Sequence, residues 1–380
     1  MVNSNANALG IIFPNSYDSL VPELVGERLM ASIPFASRYR MVDFILSSMV
    51  NSGIDNISII VRKNYHSLMD HLGSGREWDL TRKNGGLNIV PPFAEKTVKV
   101  YNGRVEALAS ILDFLKGQKE KYVVMSDTNI AVNFDFKAML DAHIASGADI
   151  TVAYAKEEIA DCFKKEYGIK KDLYYTLSIE DGRVNEIQIN SKADGVQNCS
   201  MNIYIMEREQ LIENISDAFV RGYVYFERDI LAPQLDKFNV QAYEFTGYLA
   251  RINDMKSYFD ENMKLLNDEN LDNLFSGNPV YTKIRDDNPT RYISGAKAKN
   301  IMAADGCVIE GEVENSILFR GVKIAKGAKV KNCVLMQDTV VEEGACVENI
   351  ISDKKVTISA GQSVAGSDTF PVYIPKYKTV

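Results

Sequence analysis

Two short segments carry residue types suited to phosphate chemistry. Phe13-Pro14-Asn15-Ser16-Tyr17-Asp18-Ser19-Leu20 follows the apolar run Leu9–Phe13, and Ser126-Asp127-Thr128-Asn129 follows Tyr122–Met125. As strands of one open α/β sheet, both runs would end where such sheets bind ligands. A loop there holds polyphosphate by bringing backbone N–H groups close, which glycine permits, and by supplying opposing charge. No glycine lies between Gly10 and Gly26, Pro14 has no N–H to give, and Asp18 brings negative charge to an anion's place. In the second segment Asp127 could serve a divalent cation, whereas Asn129 offers a carbonyl without charge. The three histidines, His66, His71 and His143, show no zinc-type spacing, and the five cysteines form no CxxC pair. Their odd number argues for reduced thiols, with Cys307, Cys333 and Cys346 expected as small core side chains.

The elements that must position these groups are legible in the hydrophobic pattern. Leu9–Phe13, Ile57–Val61, Tyr122–Met125 and Ile150–Tyr154 read as strands. Between them Tyr39–Met49, with Val42, Ile45, Leu46 and Met49 at helical spacing, Gly103–Phe114 and Phe136–Ser146 read as helices. The alternation predicts a mixed, mostly parallel sheet covered by helices over residues 1–250. A linker with a helix at Met255–Leu271 and breakers at Pro279 and Pro289 fills 251–290. Residues 291–380 follow another rule. Cys307, Ile324, Val341 and Ile358 are each 17 residues apart, as are Gly327, Gly344 and Gly361, Val313, Val330, Val347 and Val364, and Asn315, Asn332 and Asn349. Leu318, Ile324, Val330 and Met336 recur every six. Such periods predict stacked triangular coils of short parallel strands around one apolar axis, with glycine at tight corners.

Composition narrows the function. The 380 residues are 46% hydrophobic, enough for two cores, and the net charge of −8 argues against nucleic acid as a partner. No run approaches the roughly 20 apolar residues of a membrane span, and Met1-Val2-Asn3-Ser4-Asn5 lacks the blocks of a secretory signal, so a cytoplasmic location is expected.

Several strings together resemble the bacterial ADP-glucose pyrophosphorylases, the glucose-1-phosphate adenylyltransferases. They are Tyr39-Arg40-Met41-Val42-Asp43-Phe44-Ile45-Leu46-Ser47 followed by Asn51-Ser52-Gly53-Ile54, His66-Ser67-Leu68-Met69-Asp70-His71-Leu72, Ser200-Met201-Asn202-Ile203-Tyr204, Phe226-Glu227-Arg228-Asp229-Ile230 and Gly247-Tyr248. Within that family the chain looks most like the divergent GlgD-type subunits. The resemblance implies a Rossmann-like (GT-A-like) nucleotidyltransferase domain followed by a left-handed parallel β-helix of hexapeptide repeats. The family transfers an adenylyl group from ATP to glucose 1-phosphate for glycogen synthesis.

The departures from the family pattern are as informative. Met30 stands at the family's phosphate-binding lysine, Asn129 at its metal-binding aspartate and Arg251 at its second acidic ligand. The resemblance therefore implies no intact catalytic set, and no cofactor beyond Mg²⁺ in case residual catalysis persists. A sugar-phosphate pocket survives in part as Ser200 and Asp229, with Lys192 one residue beyond the stretch Ile189-Asn190-Ser191 that matches the family's Glu-Lys-Pro, while Arg104 replaces a small threonine. Loss of one preorganised donor to developing charge typically costs about a hundred- to a thousandfold in rate, and here several change together.

A chain of this shape would act through contacts. The resemblance implies a catalytic pyrophosphorylase subunit as partner in a hetero-tetramer, with a homo-oligomer as the alternative. It also implies a sugar-phosphate or phosphate effector. Arg38 and Arg40 match the neighbourhood of the family's activator-binding residues, and His71, Arg62 and Arg76 are candidate neighbours, since guanidinium groups suit phosphates. Asp43 reads as structural, bonding backbone at a helix start. An active adenylyltransferase with an atypical loop, and a non-enzymatic assembly protein, stay open as alternatives.

Overall fold

The computed structural model describes residues 6–83, 85–91, 101–164 and 173–380, and the first five residues of the N-terminal reading lie outside it. Nine strands form the principal sheet: β1 (Ala8–Phe13), β2 (Asn56–Ile60), β3 (Gly86–Val90), β4 (Tyr122–Asp127), β5 (Ile150–Glu158), β6 (Tyr175–Glu180), β7 (Arg183–Ile189), β8 (Val196–Glu207) and β9 (Val240–Glu244). Their order is β3-β2-β1-β4-β8-β5-β9-β7-β6. Strands β3, β2, β1 and β4 are parallel, and β8 enters antiparallel to both β4 and β5. The sheet is therefore mixed, and its parallel part is the part that carries the two segments at issue.

β1 and β4 are wholly buried, and apolar up to the Ser126-Asp127 end of β4, as central strands of a covered sheet are. Separate cores form on either side, one around Ile12, Ile57 and Val124, the other around Ile11, Val123 and Met125. Helices α1 (Met41–Asn51) and α2 (His66–Leu72) lie N-terminal to α3 (Arg104–Ala109) and α4 (Leu112–Gly117). The pattern over Gly103–Phe114 predicted one helix, and the chain breaks it at Ser110–Ile111. Met255–Leu271 likewise divides into Met255–Lys264 and Asp268–Phe275, because Asn267 caps the second helix through the N–H groups of Glu269 and Asn270.

From residue 291 onward the chain is a parallel β-helix. In one ladder Lys323, Val340 and Thr357 pair in successive steps of 17, and in the other Glu312, Lys329, Cys346 and Ser363 do the same. Ile324, Val341 and Ile358 are buried along its axis. Gly327 (φ 74°) and Asn332 (φ 49°) each adopt the left-handed backbone that the corners require. Cys346 departs from the expectation of a core thiol. It shares an outward column with Lys329 and Ser363 and is half-buried, while Cys307 and Cys333 are buried. Met336 is also buried, but in a third core that joins the two architectures through Met30, Phe35 and Phe44 on one side and Ile317, Val334 and Ile351 on the other. A buried ion pair, Arg28 to Asp353 at 2.7 Å, crosses the same junction.

Candidate functional site

The ends of β1 and β4 open on a cavity of about 120 Å³. Its floor is an ion triad. Arg104 donates from Nη2 to both oxygens of Asp127 at 2.9 Å and from Nη1 to Glu227. Its guanidinium carbon lies 4.8 Å from the ring centroid of Phe13 and 5.4 Å from that of Tyr204. Ser16 donates to Asp127 at 2.7 Å. Burial opposes the charge on Arg104, but Asp127 and Glu227 outweigh it and hold the guanidinium protonated. Gly103 makes this geometry accessible, since a Cβ there would meet the Val224 carbonyl oxygen at 2.3 Å. The close approach sets the start of α3 beside the segment that carries Glu227.

The loop after β1 folds inward. Asp18 accepts from the backbone N–H of Met30 at 2.8 Å and from Asn15 at 2.9 Å. Its charge serves this local turn, which corrects the expectation that it faces a ligand; burial pushes its carboxyl upward against those hydrogen bonds. Tyr17 (φ 65°) turns its ring into the interior. Its hydroxyl donates to the Leu173 carbonyl at 2.8 Å and accepts from Asn202 at 2.6 Å.

A second concavity, about 470 Å³, lies between α2 and the β-helix. Arg38, Arg40 and His71 line it together with Lys283, Arg285, Arg320 and Lys354, and Asp70 is the carboxylate on its wall. Arg40 donates to the Ser67 carbonyl at 2.6 Å. Burial pulls its guanidinium down to about 10 despite Asp43. Asp43 caps α1 by accepting from the Arg40 N–H at 2.9 Å and also meets His71 Nε2 at 2.6 Å. Burial lowers the pKa of His71 more than Asp43 raises it. Lys354 is pulled down to about 7 by burial and by the nearby Arg40 and Arg28. Among the described residues neither Arg38, Arg40, Arg320 nor Lys354 makes an ion pair within this cleft, so its wall carries positive charge that no carboxylate neutralises directly.

Residues 27–267 match the nucleotidyl transferase family, and residues 284–369 match the GlmU-like C-terminal hexapeptide family. The chain is 35% identical over 374 residues to the glycogen biosynthesis protein GlgD of Bacillus subtilis (strain 168), covering 98% of this chain and 96% of that protein. It is 34% identical to the GlgD protein of Geobacillus stearothermophilus, with 86% and 83% covered. To a glucose-1-phosphate adenylyltransferase of Bacillus cytotoxicus it is 31% identical, with 85% of each chain covered. The chain belongs to the nucleotidyl transferase family that includes these proteins.

Within this nucleotidyl transferase fold, the residues singled out in the sequence fall into distinct places. Met30 is fully buried in the junction core, where it packs instead of binding phosphate. Asn129 immediately precedes the strand Ile130–Val132, whose Ile130 pairs with Arg251. Asn129 Oδ1 is buried without a hydrogen-bond partner among the described residues, and Arg251 donates to Glu157 at 2.8 and 3.0 Å. The divalent cation that the resemblance implies does not fit this donor set. One position is neutral, its neighbour is a guanidinium, and Asp127 is already held by Arg104. Ser200 is buried beside Asn202 and lines a separate small cavity with Asn129 and Arg251. Asp229 caps its own helical turn, accepting from the N–H groups of Val224 and Tyr225 at 2.9 Å. Those bonds and Arg228 outweigh burial and lower the pKa of its carboxyl. Lys192 is exposed on the turn between β7 and β8, away from Ser200's cavity.

Of the five effector candidates, Arg38, Arg40 and His71 converge on the basic cleft. Arg62 instead lines the crevice of Arg104, and Arg76 is exposed and lines neither concavity. The sequence reading missed the cations contributed by the linker and the β-helix. A signal was available, because Arg320, Gln337 and Lys354 are 17 apart and all line the cleft. One column of the coil repeat thus faces the first domain. Among the described residues no group of three or more His, Cys, Asp or Glu is arranged to hold a metal, and no helix is long and apolar enough to cross a membrane.

Proposed function

We propose that the chain is a regulatory, largely non-catalytic subunit of ADP-glucose pyrophosphorylase in glycogen biosynthesis, acting in the cytoplasm. The observation that carries this reading is the crevice at β1 and β4, whose two carboxylates, Asp127 and Glu227, are both bound to the protein's own Arg104. A nucleotide triphosphate entering there would meet neither a backbone cradle nor a metal ligand set. The chain aligns with most of the length of relatives named GlgD and of a relative named glucose-1-phosphate adenylyltransferase, which supports a place beside such a chain.

The partner in this reading is a catalytic pyrophosphorylase subunit in a hetero-tetramer, and the basic cleft takes a phosphorylated sugar or inorganic phosphate. The cleft draws cations from both the first domain and the β-helix, so an anion there would bias how the two are held together, a change a neighbouring subunit could sense. Co-expression with a catalytic pyrophosphorylase chain tests the proposal. A stable complex whose response to fructose 1,6-bisphosphate or phosphate differs from that of the catalytic chain alone is expected, and two chains that fail to associate would sink it.

A further inference from the structure

Resting on the reading that the crevice has no catalytic role, we propose that Arg104 is a built-in counter-cation whose guanidinium takes the place of a divalent metal between Asp127 and Glu227. Removing it converts the same two carboxylates into a divalent-metal site.

Both carboxylates are almost fully buried, with side chains 1% and 6% exposed. They accept from the two terminal nitrogens of one guanidinium, so their oxygens lie within the span of a single planar cation. Two buried carboxylates that close repel each other, and a cation between them offsets that repulsion. Ser16 holds Asp127 by a hydrogen bond that does not involve Arg104, and the turn Phe226–Leu231 sets the backbone that carries Glu227. The rings of Phe13 and Tyr204 pack against the guanidinium. On its remaining side lies the cavity of about 120 Å³, bordered by Asn15, Asn102 and Tyr225. Water occupies roughly 30 Å³ per molecule, so several fit there. One or two carboxylates completed by several waters is how a small divalent cation is commonly held. A salt bridge of purely structural role predicts something different. After removal of Arg104 the pair would show no affinity for metal.

Mn²⁺ binding to the full-length chain, followed by electron paramagnetic resonance and by thermal denaturation, separates these outcomes. The wild-type protein is expected to show no saturable Mn²⁺ site. Arg104→Ala and Arg104→Gln should each gain one site per chain, at least about tenfold tighter than any wild-type binding, and their melting temperature should rise with Mn²⁺. Adding Asp127→Asn should abolish the gain. The proposal is overturned by wild-type binding as tight as that of the variants. It is equally overturned if neither variant, whether folded or rescued from unfolding, acquires Mn²⁺ affinity. Pyrophosphate release by the wild-type chain would defeat the non-catalytic reading through a separate measurement and leave the Mn²⁺ comparison to be read by itself.

Discussion

Nη2 of Arg104 lies 2.9 Å from each carboxylate oxygen of Asp127, a contact between residues 23 positions apart that closes the strand end on which a nucleotide site would open. The same guanidinium reaches Glu227, 123 positions away. A crevice so filled differs from one that merely lacks ligands, because its charges are satisfied internally.

Arg104→Met should therefore be costly. It leaves Asp127 and Glu227 buried without a counter-charge, which typically costs about 3–5 kcal/mol. Urea denaturation of the variant should show a fall of that order, and Asp127→Asn added to it should recover part of the loss. A fall under about 1 kcal/mol would mean that the triad is not buried as described.

The basic cleft should lose affinity for anions as pH rises through about 7, where Lys354 gives up its proton. The stability consequence has the opposite sense to that of an ordinary paired lysine. Below about pH 7 the folded state carries a buried ammonium at a cost. Between that pH and the usual lysine range the unfolded chain binds the extra proton, so stability rises with pH. Calorimetric titration with fructose 1,6-bisphosphate at pH 6 and pH 8 should show weaker binding at the higher pH. Lys354→Met should flatten that difference and gain most stability over wild type below pH 7. Equal affinity of the wild type at both pH values would remove Lys354 from the site.

The junction between the two architectures should depend on one buried pair. Arg28 donates to both oxygens of Asp353, and Tyr373 adds a hydrogen bond to Asp353 at 2.8 Å. Asp353→Asn strands the Arg28 charge and should lower stability by about 3–5 kcal/mol, whereas Tyr373→Phe should cost about 1 kcal/mol. Thermal melting of both variants checks the ranking.

How much of this was legible beforehand depended on the range of the interaction. The 17-residue step placed Ile324, Val341 and Ile358 on one axis because each coil contacts only its neighbours, so the pattern is local and repeats. β1 and β4 were readable for a similar reason, each being a continuous apolar run. The helix break at Ser110–Ile111 was not, since Leu108 and Leu112 keep a helical spacing across it. Cys346 sat in an apolar stretch, but its place in the coil points outward. The Arg104 triad and the Arg28–Asp353 pair have no period at all. They join residues brought together only by the finished fold, and side-chain charge alone does not say which partner each will find.

The corners of the β-helix offer a further check. Asn332 holds φ 49°, a region that asparagine tolerates and a β-branched residue does not. Asn332→Gly should leave the melting temperature near that of the wild type, while Asn332→Val should lower it by an amount equivalent to about 1–2 kcal/mol. Equal effects would show that the corner is not strained.

The central claim is met most directly by a pyrophosphate-release assay on the purified chain with ATP, glucose 1-phosphate and Mg²⁺. Release at the level of the protein-free control is the predicted result. Sustained turnover at a rate ordinary for an enzyme, about 1–1,000 s⁻¹, would contradict it.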